Sequence, residues 1–169
     1  MNRIITNGAE LKLSSEMREL DIRYQSLSEG GCGYIAKWIG EGFIERGIDV
    51  KYLVLDNCSE GIGTILRPEF EKYANVESLT DLSERMIEVS HVLPIINNRL
   101  YVDVKGAFTS FESTPWSHLT VLGHITHKTL EGWMTDKYYN WNPIFMHLNR
   151  SNMMWIEEDV KKLIKSLVI

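Results

Sequence analysis

Cysteine is scarce in this sequence: Cys32 and Cys58 are the only two among 169 residues. Two cysteines cannot build the set of disulfides that holds small secreted domains together, so a disulfide scaffold is not expected. A reducing, cytoplasmic setting fits this composition better, and a single disulfide between the two cysteines stays open as an alternative.

Long apolar runs and an excess of positive charge are also missing. No apolar run is long enough to span a membrane, and residues 1–6 turn polar at once, so we expect neither a membrane anchor nor a signal peptide. The formal net charge of −5 argues against a nucleic-acid surface. Membranes and nucleic acids are therefore not expected partners, and nothing in the sequence indicates an oligomeric state.

Repeats, low-complexity tracts and linkers are absent, which predicts a single domain over residues 1–169. With 44% hydrophobic and 24% charged residues, the chain can build an ordinary globular core. The sequence places helices first and mostly antiparallel strands after them, an order typical of the α+β class. The predicted helices are 14–26, a cysteine helix that ends near Arg46 with Gly47 as its C-cap, and 154–167.

Alternating or β-rich patterns predict the strands. The clearest pair is 89–96 and 99–104, which flank the turn residues Asn97 and Asn98. The other predicted elements are a lead-in strand within 1–13, a strand at 48–55, short helices at 68–73 and from Asp81, a strand and then a short helix within 119–134, and an edge strand or packed loop at 141–148.

The most informative stretch surrounds Cys32 with three glycines, in the order Gly30-Gly31-Cys32-Gly33. A helical apolar pattern follows at once, in Ile35, Ile39, Phe43 and Ile44. A flexible loop thus delivers Cys32 to the first turn of a helix, where the helix dipole favours a thiolate. We therefore expect Cys32 to begin a helix and to be partly exposed at a cleft, as a nucleophile requires.

A cysteine nucleophile needs a base, and the base needs an acceptor that orients it. His91 and Asp103 lie on the two strands of the predicted hairpin. With an odd-length loop such as 96–98, His91 lies opposite Asp103 and their side chains share a face. A two-residue turn at 97–98 would instead place His91 opposite Val104, with Asp103 on the other face.

Each of these residues also has an ordinary interpretation. Cys32 could be a packing residue, His91 a structural histidine, and Asp103 a residue on the exposed face of an edge strand. The combination of the three favours the catalytic interpretation. Gln25, seven residues before Cys32, could donate its amide to an oxyanion hole together with the Cys32 backbone N–H, or it could simply be solvated.

The sequence does not favour a metal or cofactor site. Four further histidines have no carboxylate or cysteine partner at a recognised ligand spacing: His118, His124, His127 and His147. Gly61-Ile62-Gly63 lacks the third glycine of a dinucleotide fingerprint. We therefore expect no cofactor, and we interpret Cys58 as a spectator and the tryptophans as core or cleft-lining residues.

Three short motifs carry a family resemblance. They are Gly30-Gly31-Cys32-Gly33-Tyr34-Ile35-Ala36, His91-Val92-Leu93-Pro94-Ile95 and Leu100-Tyr101-Val102-Asp103-Val104. Together they resemble the papain-like cysteine peptidase superfamily in its broad sense, which includes transglutaminase-like and amidase-like proteins. The resemblance covers roughly residues 25–106. It implies a papain-like fold with Cys32 as nucleophile, His91 as base, Asp103 as orienting residue and Gln25 as the oxyanion glutamine.

These observations predict a thiol-dependent hydrolase or acyl transferase that acts on an amide, isopeptide or ester bond through a thioacyl intermediate. The expected substrate is a protein or peptide, or else a small amide. The alternative is a catalytically silent papain-fold module that acts as an inhibitor or adaptor by protein contact. The reactivity of Cys32 near neutral pH distinguishes the two.

Overall fold

A computed structural model describes residues 7–24, 32–56, 89–135 and 150–167. Within these residues the chain forms four helices: α1 (Asn7–Arg23), α2 (Cys32–Ile44), α3 (His127–Thr135) and α4 (Arg150–Leu167). The strands are β1 (Val50–Asp56), β2 (His91–Ile96), β3 (Leu100–Asp103), β4 (Gly106–Phe108) and β5 (Thr120–Ile125).

The five strands form one antiparallel sheet in the order β4-β3-β2-β1-β5. Strand β2 lies in the centre, and all six of its residues are buried. A strand that is buried on both faces is expected to be apolar throughout, as β2 is apart from His91. The α+β class predicted from the sequence is thus confirmed.

The two faces of the sheet are covered differently, because successive side chains of a strand point in opposite directions. On one face Tyr52, Val54 and Val92 pack against α2 and α3. On the other face Leu53, Leu55 and Leu93 pack against the irregular segment 109–119. Helices α1 and α4 extend the helical layer over β3 and β4.

Helix α2 is buried along most of its length because its apolar residues recur every three to four positions. Ile35, Ile39 and Phe43 lie on its buried side, whereas Ile44, which the sequence pattern also placed there, is exposed. The predicted C-cap is confirmed: Gly47 has a φ of 72°, and Ile48 N–H donates to the Phe43 carbonyl at 3.1 Å. This is the Schellman arrangement.

Several other element predictions agree with the structure. The strand and short helix expected within 119–134 are β5 and α3, and the buried face of α4 is the predicted one: Ile156, Val160, Leu163, Ile164 and Leu167. Among the described residues, no helix combines the length and the apolar character that crossing a membrane requires.

One predicted strand is not found in the residues that the structure describes, and one observed strand was not predicted. The lead-in strand within 1–13 is not observed at residues 7–13, which form the first turns of α1; Leu13, Met17 and Leu20 continue one buried helical stripe. The three-residue strand β4 was missed, because so short a segment carries no periodic signal. The predicted elements at 68–73, at 81–84 and at 141–148 lie outside the described residues.

Candidate active site

Cys32 is the first residue of α2, so the prediction that it begins a helix is confirmed. The expectation of partial exposure at a cleft was wrong: only 5% of its surface is exposed, and its sulfur is not in a disulfide. Apolar side chains of α2 and of the sheet enclose Cys32, which packs with Ala36, Val54 and Val92. A cavity of about 10 Å³, enough for about one water molecule, adjoins both Cys32 and Asp103.

The hairpin that carries His91 and Asp103 has an odd-length loop, but in a different register from the one expected. The loop consists of Asn97, Asn98 and Arg99, because Ile96 pairs with Leu100. Both asparagines adopt positive φ values, 52° and 56°, which this residue type tolerates better than most.

This register places His91 and Asp103 on the same face of the sheet without placing them directly opposite. Ile95 pairs with Tyr101, and His91 and Asp103 each lie an even number of residues from that pair. They are therefore diagonal neighbours, which long side chains can bridge. Their side chains do meet: His91 Nε2 lies 2.7 Å from Asp103 Oδ2.

Asp103 is buried, with 5% exposure, and both of its carboxylate oxygens are hydrogen-bonded. Oδ2 binds His91 Nε2 and accepts the Trp116 indole N–H at 3.2 Å, and Oδ1 accepts the Lys105 backbone N–H at 3.0 Å. Burial alone would raise the pKa of Asp103, but these hydrogen bonds and the charge of His91 hold it below its usual value. The carboxylate is thus ionised and fixed in orientation.

Trp116 is the site residue whose role the sequence did not reveal. Its ring stacks on the His91 imidazole, with centroids 4.0 Å apart, while its N–H binds Asp103. The segment 109–119 places it there: Thr114 Oγ1 accepts the Trp116 backbone N–H at 3.3 Å, and Phe111 and Leu119 anchor the segment in the core. A lone tryptophan in a polar, aperiodic stretch gives no signal of such a contact.

Cys32 completes the arrangement, since its side chain is within hydrogen-bonding reach of the His91 imidazole. Burial alone would lower the pKa of His91, but the charge of Cys32 and the hydrogen bonds with Asp103 and Cys32 outweigh it and raise the pKa to about 10. Asp103 occupies Nε2, so Nδ1 is the ring nitrogen that can exchange a proton with the thiol.

The side chains of Cys32, His91 and Asp103 meet at the end of the sheet, where His91 contacts residues that pack on both faces. Cys32 comes from the helical layer, and Trp116 packs on the opposite face. His91, the first residue of β2, contacts both. A thiol, an imidazole and an oriented carboxylate in sequence can perform nucleophilic attack and proton transfer on an acyl group.

Two residues named by the sequence fall outside the described part of the chain. They are Gln25, expected in the oxyanion hole, and Cys58, interpreted as a spectator. His147 also lies outside it. His118 is exposed and belongs to no part of the Cys32 arrangement in the described structure.

A second histidine cluster connects α2, α3 and β1. The Tyr52 hydroxyl lies 2.6 Å from His127 Nδ1, and His127 Nε2 lies 3.1 Å from Glu131 Oε1. Glu41, His127 and Glu131 could offer a metal ion three ligand atoms that lie within 4.8 Å of one another. Glu41, however, already binds Lys37 at 3.0 Å and Lys161 at 2.9 Å, and these ammonium groups compete with a cation for its carboxylate.

The two histidine clusters differ in the kinds of side chain that they bring together. Only the His91 cluster, within the described residues, joins a thiol, an imidazole and a carboxylate in series. Comparison of the chain with known protein families, with curated proteins and with solved structures finds no match in any of the three.

Proposed function

We propose that this protein is a thiol-dependent hydrolase or acyl transferase that acts on an amide, isopeptide or ester bond. One observation carries the proposal: Cys32, His91 and Asp103 form a continuous buried chain of hydrogen bonds, with 2.7 Å between His91 Nε2 and Asp103 Oδ2. Buried titratable groups linked in this order, with the pKa of the imidazole raised and that of the carboxyl lowered, are typical of catalytic sites.

In the proposed mechanism the Cys32 thiolate attacks the carbonyl carbon, and a C–S bond forms. The His91 imidazolium then donates its Nδ1 proton to the leaving amine or alcohol as the scissile bond breaks. Water attacks the resulting thioester in hydrolysis, and an amine attacks it in acyl transfer. In both cases the attacking group gives its proton to the neutral His91. Release of the acyl group restores the thiolate and the imidazolium.

Asp103 has a supporting role in each of these steps. It accepts Nε2–H, fixes the tautomer and orientation of the imidazole, and stabilises the positive charge that His91 carries. Three hydrogen-bond donors hold its carboxylate, so it does not need to reorganise as the charge on His91 changes.

The proposal includes a papain-like fold and a reducing, cytoplasmic setting. A cysteine at the start of a helix, followed along the chain by His91 and Asp103 on neighbouring antiparallel strands, supports the fold assignment. The Cys32 sulfur is not in a disulfide, which supports the setting, since the proposed chemistry requires it to stay reduced. The proposed substrate is a peptide, a protein or a small amide.

The test is covalent capture at Cys32. Native protein is treated with iodoacetamide, and separately with an ester-type activity probe, at about pH 6, where an ordinary thiol is almost fully protonated. Peptide mass spectrometry then compares the labelling of Cys32 and Cys58. We expect Cys32 to be labelled at least about tenfold faster, because it is paired with an imidazolium, and we expect His91→Ala to remove that advantage.

The silent binding module is the second candidate, and the 5% exposure of Cys32 favours it. A substrate carbonyl has little sulfur surface to approach, whereas an inhibitor or adaptor needs none. Equal and slow labelling of both cysteines, unchanged by His91→Ala, would establish the module and rule out the enzyme. The dependence on His91 is decisive, because fast labelling alone is a property of any accessible thiol.

A further inference from the structure

Strand β4 forms an edge of the sheet, and its middle residue has backbone groups that face away from β3. Ala107 N–H donates to Ser14 Oγ at 2.7 Å, and the Ser14 hydroxyl donates to the Ala107 carbonyl at 3.3 Å. A single side chain of α1 thus satisfies both outward groups of an edge strand that would otherwise need water or another strand. Ser14 itself is buried, with 8% exposure.

The turn before β4 is the part of the chain that fixes Asp103. Asp103 pairs with Gly106 across this turn, and the Lys105 backbone N–H donates to Asp103 Oδ1 at 3.0 Å. Gly106 has a φ of 139°, and a Cβ at this position would lie 3.3 Å from Ser14 Oγ, so glycine lets the turn and α1 approach closely. The position of the Lys105 amide therefore depends on where α1 holds the turn.

A second contact from α1 reaches the same turn. Lys105 Nζ forms an ion pair with Asp21 at 2.9 Å. Asp21 and Ser14 are seven residues apart on α1, which is two helical turns, so both lie on the face towards the turn. Helix α1 thus contacts this part of the chain at two points, the side chain of Lys105 and the backbone of Ala107.

We propose that Ser14 is a positioning residue for the His91–Asp103 pair, acting through the β3–β4 turn. This inference rests on the proposed function, because it matters for catalysis only if His91 is the base. Ser14 holds Ala107, the hairpin transmits that position to the Lys105 amide, and the amide fixes the second oxygen of Asp103. The orientation of the carboxylate then determines the hydrogen bond to His91 Nε2.

The test measures His91 directly and does not require a substrate. Ring-nitrogen NMR of protein labelled with ¹⁵N-histidine follows the titration of His91, which is assigned by comparison with His91→Gln. In Ser14→Ala we expect the His91 midpoint to fall by about half a unit to one unit, the size that corresponds to one ordinary hydrogen bond. Ser14→Thr keeps the hydroxyl and should restore the wild-type midpoint. The matched control is Ser15→Ala, since Ser15 is the exposed neighbour on the same helix.

The outcomes separate positioning from mere packing. A Ser14→Ala protein that melts earlier but titrates at the wild-type midpoint would overturn the inference. If Ser14→Ala does not fold, Asp21→Asn decides: a smaller fall in the midpoint supports the inference, and an unchanged midpoint overturns it. Failure of the proposed function is a different result, namely labelling of Cys32 that does not depend on His91, and it leaves the titration readout intact.

Discussion

The two histidine clusters show what separates a catalytic arrangement from a structural one. Both histidines bind a partner through each ring nitrogen: His91 contacts Cys32 and Asp103, and His127 contacts Tyr52 and Glu131. His91 and its partners are sealed from solvent, whereas the side chains of His127 and Glu131 are 19% and 49% exposed. The difference therefore lies in burial and in the chemistry of the partners.

Tyr52 and Cys32 occupy equivalent positions in the two clusters but behave differently. Burial and the charges of Glu41 and Glu131 raise the pKa of Tyr52 above its ordinary value, so its hydroxyl stays protonated where it meets His127 Nδ1. Cys32 instead brings a thiol against His91, and this contact helps to raise the pKa of the imidazole. A histidine becomes a candidate base when an ionisable nucleophile contacts the ring nitrogen that the carboxylate does not occupy. A phenol that stays neutral at that nitrogen does not make the histidine a candidate base.

The largest expected effect comes from removing the charge of Asp103. Asp103→Asn should lower the rate of acyl transfer from an activated ester to Cys32 by about 10³–10⁴-fold, because the imidazole loses its orientation and its tautomer. The matched change in the other cluster, Glu131→Gln, should leave this rate unchanged. Stopped-flow release of the alcohol measures both variants. Equal rates in the two variants would show that the clusters do not differ in the way described.

Asp103→Asn should affect alkylation of Cys32 much less than it affects turnover. Alkylation requires the thiolate next to a cation, whereas turnover also requires the imidazole to deliver a proton in the correct direction. Iodoacetamide labelling of Asp103→Asn at about pH 6 should therefore stay within about tenfold of wild type. A loss of labelling as large as the loss of turnover would assign Asp103 to ionisation of the thiol.

The pH dependence of stability should distinguish the clusters next. The folded-state pKa of His91 is raised, so its contribution is complete below about pH 6.5 and is lost as the pH rises towards 10. The folded-state pKa of Asp103 is lowered, so its contribution is present above about pH 4 and is lost only in stronger acid. The stabilisation from the pair should thus be largest between these limits.

Urea unfolding of wild type and of a His91→Gln/Asp103→Asn double variant measures this contribution. The difference in unfolding free energy should shrink by about 1.5–3 kcal/mol between about pH 6 and pH 9.5, the range given by hydrogen bonds to charged groups. His118→Gln is the control, since His118 is exposed and should show no such change. A difference that stays constant with pH would mean that the pair does not hold its charges in the folded state.

The sequence predicted the parts of the fold that follow from local periodicity. Helix α2 begins at Cys32 because glycines precede an apolar stripe, and it ends at Ile44 because Gly47 caps it with a positive φ. The hairpin of β2 and β3 was visible as two apolar runs around asparagines. Its register was not predictable, because loops 96–98 and 97–99 both have an odd number of residues and the sequence does not choose between them.

The burial of the site could not be read from the sequence either. Cys32, His91 and Trp116 lie far apart along the chain. Their contacts depend on how the helical layer and the segment 109–119 pack on the two faces of the sheet. Nothing in the local pattern around Ser14 indicates that its hydroxyl binds Ala107, which lies 93 residues away. Such contacts are tertiary, and a period of 3.6 or 2 carries no information about them.

The smallest expected effect concerns Trp116, which both stacks on His91 and donates to Asp103. Trp116→Phe keeps an aromatic ring over the imidazole but removes the indole N–H. Asp103 retains its contacts with His91 and with the Lys105 amide, so the carboxylate is loosened and not released. The loss of one donor to a charged acceptor should lower ester turnover by about tenfold, well below the effect of Asp103→Asn.

The matched control is Trp155→Phe on α4, because Trp155 is 58% exposed. A surface substitution of this kind should change neither turnover nor stability appreciably. Trp116→Leu extends the series by removing the stack as well, and it should lower turnover further than Trp116→Phe. If the two Trp116 variants were equally impaired, the N–H would carry the whole effect and stacking none. If both matched wild type, Asp103 would be held by His91 and the Lys105 amide alone, and Trp116 would be a packing residue like the apolar side chains around it.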